Sequence, residues 1–446
     1  MNPAQCIRQY YKESFHQQLL GAMGRCLPHQ GLPLQMESRR LCWVPRLLVM
    51  CAVLMCWVHG KSLKDRFSKA REATVGMYSS RRRPGKSYQG FMAALVRRSA
   101  GLLAVVCPAF RRGVAQIAEP AWRVEGRVVF GVDGSRIDCP MTAANEEAFG
   151  CAGKKKTGPQ QLLTTLFHAG TGLIWGWRRG DSRSSERTHL QEMLDLLPPQ
   201  ATLLADAGYT GYGMLQELLS RRIDFIIRVG SNVRLLKGLG YAEHKGEGIV
   251  YLWPSREQKK GLAPLVLRLI VLSDERNKRA YLLSNILDEE QLSDAQAGRL
   301  YRLRWGVELL YRALKQTLER RKMLSDSPRH AEVELDWTMV GLWMLGLMCV
   351  EAMQREGRPL NAWSVAASLR VVQQAMDKGA KSHRQGGLQQ SLGGCIKDTY
   401  ERRGIKKARN AKNKKTERPP GAPILRMAEQ SEVLLAQQLR ERKPAA

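Results

Sequence analysis

The ten cysteines of this chain form no C-x-x-C pair and match no histidine spacing, which argues against a zinc site or a disulfide framework and fits a reducing cytoplasm. Acidic residues are scarce beside basic ones. Asp plus Glu number 41 against 71 Lys plus Arg, and the resulting +30 is spread over most of the 446 residues, so a polyanionic partner is expected, with nucleic acid first. Basic ribosomal and membrane-surface proteins share this balance. Charge therefore sets the class of partner, not the chemistry. Long unbroken apolar runs are also missing: Leu41 to Val58 is interrupted by Pro45 and Arg46, leaving less than the roughly 20 apolar residues of a membrane span. The stretch WTMVGLWMLGLMCVEAM, 337 to 353, has 17 residues and follows Glu334 and Asp336. Both are expected to be buried helices; no membrane association is expected, and no early apolar run with a small-residue cleavage site marks a secretory signal.

What is present divides by texture. Residues 1–120 group their apolar positions at helical spacing around 47–57 and 91–106, with basic clusters (Arg81, Arg82, Arg83, Lys86, Arg97, Arg98, Arg111, Arg112) between them, as in a helical DNA-binding region or a solvated basic face. From 126 onward, short β-branched runs begin: RVVFGVD (127–133), QLLTTLFHA (161–169), GLIWGWR (172–178), TLLAD (202–206) and IDFIIRV (223–229). The second and third, joined through Gly170, Thr171 and Gly172, predict an antiparallel hairpin. Helical segments are predicted at 184–197, ending at Pro198 and Pro199, and at 211–220. Strand, hairpin, helix, strand, helix, strand is the order of an α/β mixed sheet with flanking helices, as in the ribonuclease H-like fold. A β-rich insertion follows at about 230–287, helices resume near 288, and 326–380 reads as a helical C-terminal region. In the tail, 381–446, nine of the eighteen residues from Glu401 to Arg418 are Lys or Arg, which predicts a partly disordered basic segment ahead of a short helix near 423–440.

Among so many carboxylates only position is informative. Asp133 closes VVFGVD and Asp206 closes TLLAD, and the carboxyl ends of strands in an open α/β sheet are where loops bring ligand-binding groups together. Carboxylates so placed can share hard divalent cations. Asp138, five residues on, and Asp224, at a strand start, read as structural or solvent-facing. In YRLRWGVELLYRALKQTL, about 100° per residue places Tyr301, Arg304, Glu308 and Lys315 within about 60° of one another on one helix face. Leu300, Leu303, Val307, Leu310, Leu314 and Leu318 fill an adjoining apolar arc. Taken alone, the stripe could equally be a solvated surface with an Arg304–Glu308 ion pair.

The spacing Y-x2-R-x3-E-x6-K, met by Tyr301, Arg304, Glu308 and Lys315, resembles the motif around the catalytic glutamate of DDE transposases of the insertion sequence IS-4 family; by average composition it should arise in roughly one chain of this size in several hundred. VVFGVDGS and LLADAGYTGY resemble the segments bearing that family's first and second aspartates, with Ser135 where many relatives have Thr, and Glu186 with its helix resembles the stretch before the second. The resemblance covers about 125–325, the expected ribonuclease H-like catalytic domain. It implies a DNA transposase in which Asp133, Asp206 and Glu308 are catalytic and hold two Mg²⁺ (or Mn²⁺) ions, while Tyr301, Arg304 and Lys315 hold DNA phosphates. It further implies double-stranded partners, namely terminal inverted repeats and target DNA, with cleavage and strand transfer carried out by a homodimer on paired ends. A cytoplasmic, nucleoid-associated location is expected. Trp253, the sole tryptophan of the insertion, is a candidate to hold a flipped base or simply to pack. The competing reading from another class is a non-catalytic or inactivated basic DNA-binding protein derived from a transposase.

Overall fold

The computed structural model describes residues 14–28, 30, 32, 43–77, 84–151, 158–242, 248–273, 279–377, 387–397 and 421–441. Arg81, Arg82 and Arg83 and the basic run from Glu401 to Arg418 lie outside the described residues. The described residues form a mixed α/β structure with ten strands, and the chain divides into two units. The first comprises Met1–Trp122, Gly134–Ser184 and Glu308–Asp398; the second comprises Arg123–Asp133, Ser185–Val307 and Thr399–Ala446.

The first unit is built on the helix Pro328–Arg355, whose side chains from Glu334 to Val350 are all buried. That saturation explains why the stretch is apolar on every side: it is enclosed by other helices. Trp57 donates its indole N–H to the Gly341 carbonyl (3.0 Å), Trp337 donates to Ser99 Oγ (2.7 Å), and Phe110 meets Trp343 edge-on at 5.4 Å. The helices Pro45–Trp57 and Tyr88–Ile117 are thereby fixed along it. Pro45 does begin a helix of 13 residues, since its fixed φ and missing N–H suit a first turn, and Arg46 is buried because it donates to the Gly24 and Pro28 carbonyls. Among the described residues two helices, Tyr88–Ile117 and Pro328–Arg355, are long and apolar enough to cross a membrane, and the apolar window of the second is wholly buried within the protein. The antiparallel hairpin of β2 (Gln160–His168) and β3 (Leu173–Gly180) also belongs here, and it is anchored where Trp177 and Arg179 both donate to Asp336 (2.9 and 3.0 Å).

The second unit holds a parallel group of strands continued by an antiparallel one. β1 (Val129–Asp138), whose first half lies in this unit, pairs in parallel with β4 (Thr202–Ala205), and β4 pairs in parallel with β5 (Asp224–Val229). Beyond β5 the pairing turns antiparallel through β9 (Arg279–Ser284), β8 (Leu265–Ser273), β7 (Ile249–Leu252) and β6 (Arg234–Lys237). The strands of 230–287 thus extend the sheet in antiparallel fashion, with one short helix, Ser255–Lys259, among the described residues. The segment expected to be one short helix near 423–440 is a strand and a helix: β10 (Ile424–Met427) adds in parallel to β6, and Gln430–Glu441 follows. Ile424, Leu425 and Met427 pair as a strand because β6 offers them a ladder that no local sequence pattern announces.

Candidate active site

Two aspartates and an arginine form a row across the second unit's parallel strands. Gly131 faces Leu204, and Leu204 faces Ile226, in the register of β1, β4 and β5. Two residues further along each chain stand Asp133, Asp206 and Arg228, and because side chains alternate, residues two apart share a face. Adjacent strands lie about 4.8 Å apart, so this register directs both aspartates toward the same edge of the parallel strands, just beyond the paired stretch. Asp206 follows β4 directly with its backbone still extended (φ −83°, ψ −179°), and its Oδ1 accepts the Gly208 N–H at 2.8 Å to cap the turn Ala207–Tyr209.

Asp133, by contrast, does not end its strand. β1 continues to Asp138, because the residues beyond Asp133 find backbone partners of their own: Asp138 N–H donates to Arg321 O (3.2 Å) and Met323 N–H to Asp138 O (2.8 Å). The Gly134-Ser135 pair is therefore spanned in extended form instead of turning. Asp138 itself accepts the Gln160 amide at 2.7 Å, and Asp224 is bound by Arg127 at 2.7 Å, so each serves a structural ion pair or hydrogen bond.

Arg304 closes this group. Its Nη1 lies 3.4 Å from Asp133 Oδ2, and its guanidinium carbon stands 5.8 Å from the Tyr301 ring centre, a cation–π contact. Burial raises the Tyr301 phenol's pKa above its ordinary value; Arg304 and Arg228 pull it down and Asp206 pushes it up, so the hydroxyl stays neutral among these charges. Tyr301, Arg304, Asp133, Asp206 and Arg228 are thus gathered in one unit.

Glu308 and Lys315 belong to the first unit. The helix expected to run unbroken from Tyr301 to Lys315 is in fact three pieces: Asp294–Leu303, Trp305–Arg312 and a π-turn at Ala313–Thr317. At Arg304 the bonding tightens to i→i−3, with Arg304 N–H on Tyr301 O (3.1 Å) and Val307 N–H on Arg304 O (3.2 Å). The π-turn lets each residue advance less around the axis, so the shared-face reckoning from uniform α geometry does not carry through to Lys315. Glu308 lies in the first turn of the middle piece, which Trp305 opens. Lys315 is half-buried in the π-turn; burial lowers its pKa, Asp138 nearby raises it, and Arg321 lowers it further.

Three residues escaped the sequence reading. Arg228 becomes visible only through strand register. Arg187, in the helix Glu186–Gln191, donates Nε–H to Gly208 O at 2.6 Å, on the turn that Asp206 caps. Trp305, directly after Arg304, is 53% exposed, unusual for so large an indole. Trp253, the base-holding candidate, is 3% exposed and donates its N–H to Leu262 O at 2.7 Å; it packs.

Residues 125–344 match the model of the transposase DDE domain family. Within the matched segment stand Asp133, Asp206 and Glu308 in that order. Residues 125–344 are a transposase DDE domain of the IS-4 type. Over 222 residues the chain is 27% identical to transposase InsG for insertion sequence element IS4 from Escherichia coli (strain K12), covering 47% of this chain and 49% of that one. The y4zB protein of Sinorhizobium fredii (strain NBRC 101917 / NGR234) is 28% identical over 151 residues, 32% of this chain and 42% of that one. The chain therefore spans about half the length, or less, of the curated relatives it matches. Among solved structures, a piggyBac transposase synaptic complex with hairpin DNA aligns over 90% of this chain and 86% of that one at 11% identity, but its TM-score of 0.38 is too low to support an argument about this DDE domain.

Proposed function

We propose that this protein is a metal-dependent DNA transposase that binds the terminal inverted repeats of an insertion sequence, cleaves at its ends and joins the 3′ hydroxyl to target DNA. The observation that carries the reading is the parallel register of β1 with β4, which supports Asp133 and Asp206 at one edge of the sheet of a transposase DDE domain. The parallel trio β1-β4-β5 with its flanking helices supports a ribonuclease H-like core at about 125–325, preceded by a helical DNA-binding region at 1–120 and followed by helical and basic C-terminal regions at 326–380 and 381–446.

In this reading Asp133, Asp206 and Glu308 form the catalytic set. Among the described residues no three His, Cys, Asp or Glu side chains stand as a ready-made metal cluster. The donor chemistry nonetheless fits a hard cation, because all three groups are carboxylates and Asp206 Oδ1 already acts as an acceptor. Asp133, Asp206 and Glu308 would hold two Mg²⁺ or Mn²⁺ ions, which when bound would supply charge relief at the leaving oxygen and a lowered pKa for the attacking water. The protein's own groups do the rest. Arg304, paired with Asp133, offers its planar fork to a phosphate; the Tyr301 ring supports that fork; Lys315 contributes a point charge. Trp305, exposed beside this grip, provides a stacking surface for a base near the scissile bond. A homodimer on paired ends is part of the proposal.

The test is to incubate the protein with labelled transposon-end DNA, target DNA and Mg²⁺. Products joined to target are expected. Cleavage without joining would reduce the protein to a nuclease, and end-binding without cleavage would mark it as an inactivated DNA-binding derivative.

A further inference from the structure

We propose that Arg187 is a DNA-phosphate-binding residue that works beside Asp206; this rests on the transposase reading above and adds a contact that reading does not contain. An exposed arginine on a short helix in so basic a chain is ordinarily a solvated charge, but Arg187 is tethered. Its Nε–H donates to Gly208 O at 2.6 Å, and the Gly208 N–H donates to Asp206 Oδ1 at 2.8 Å, so one residue links the guanidinium to the carboxylate. The tether uses only Nε. Among the described residues no carboxylate pairs with Arg187, and the side chain is exposed, which leaves both Nη groups available to a ligand. Gly211 completes the arrangement: a Cβ at that position would stand 3.1 Å from Arg187 Nη1, so the absence of a side chain keeps the guanidinium's place open.

A guanidinium anchored through Nε presents its two Nη groups as a fixed fork, the geometry that matches two oxygens of a phosphodiester. Fixing it beforehand removes the rotamer entropy that a free arginine loses on binding. Its neighbour on the shared turn is Asp206, so the phosphate it takes lies next to the group undergoing attack. The tether also makes Arg187 a positioning residue for the turn. That second role predicts lost cleavage, and only the first predicts a change in the electrostatics of binding.

The experiment measures end-DNA affinity in EDTA across a salt series, and cleavage in Mg²⁺, for wild type, Arg187→Ala, Arg187→Lys, Gly211→Ala and Asp206→Ala, with thermal unfolding as a folding control. For Arg187→Ala the slope of log affinity against log salt should fall by about one, as for a single lost phosphate contact, and cleavage should drop at least about tenfold. Arg187→Lys should keep the slope and still cleave poorly. Gly211→Ala keeps the charge but crowds Nη1; it should cut cleavage and leaves the idea testable even if Arg187→Ala fails to fold. An unchanged slope in folded Arg187→Ala overturns the phosphate contact, whatever happens to cleavage, and normal cleavage by Gly211→Ala counts against the fixed fork. Normal cleavage by Asp206→Ala would instead sink the catalytic reading itself, so the two failures are told apart.

Discussion

At the residue scale, charge placement decides what each side chain can do. Arg304 is largely shielded, touches Asp133 at 3.4 Å and stacks on Tyr301, so its shape matters as much as its charge. Arg304→Lys keeps the charge but loses the planar fork and the ring contact. Cleavage of end DNA is expected to fall about tenfold or more, equivalent to at least about 1.4 kcal/mol of transition-state stabilisation. Steady-state kinetics on a labelled end would check it; a near-normal rate would make Arg304 a point charge only. The aspartates were legible in the sequence because each follows a compact apolar run that ends at a carboxylate. Arg187 and Arg228 were not, since they stand among 71 basic residues and only the pairing of β4 with β5, or a bond to a turn far along the chain, sets them apart.

Elements were legible wherever the pattern was local. The hairpin of β2 and β3, the strands β4 and β5 and the long apolar helix follow directly from periodicity and turn chemistry. The continuation of β1 past Asp133, the strand β10 and the breaks at Arg304 and Ala313–Thr317 were not, because each depends on partners distant in sequence or on hydrogen-bond shifts that composition does not encode. Two predictions belong here. His168, at the end of β2, is fully buried; Nε2–H donates to Trp122 O (3.2 Å) while Nδ1 accepts from the Thr171 hydroxyl (3.0 Å). Burial lowers its pKa from 6.5 to about 4, against a smaller upward pull from the Trp122 carbonyl. The unfolded chain therefore takes up a proton that the native state refuses. The stabilisation is complete above pH 6.5 and is lost as pH falls toward about 4, at a cost of roughly 3 kcal/mol at most. Denaturant unfolding between these limits should show that slope in wild type and a flatter one in His168→Gln. The second concerns helix contact: a Cβ on Gly341 would sit 2.9 Å from Cys56 Cβ, so Gly341→Val should destabilise by about 1–3 kcal/mol through overpacking, read as a lowered thermal midpoint. An unchanged midpoint would mean that the two helices can part without cost.

For the whole molecule, the +30 charge and the DDE domain point the same way. Electrostatic attraction to DNA should be general and salt-sensitive, whereas chemistry should depend on three carboxylates. Binding and cleavage should consequently be separable. Raising salt should weaken end-binding steeply in wild type and in carboxylate variants alike, because counterion release does not involve Asp133, Asp206 or Glu308; gel-shift titrations over a salt series would check this, and a salt-independent affinity would remove the electrostatic account. The most direct measurement of the central claim is cleavage of labelled transposon-end DNA in Mg²⁺ by wild type and by Asp133→Ala, Asp206→Ala and Glu308→Ala, with end-binding measured on the same preparations. Each substitution should abolish cleavage, by about a thousandfold or more if transition-state charge stabilisation is lost, while binding stays near wild type. Cleavage that survives any one of the three substitutions would contradict the assignment.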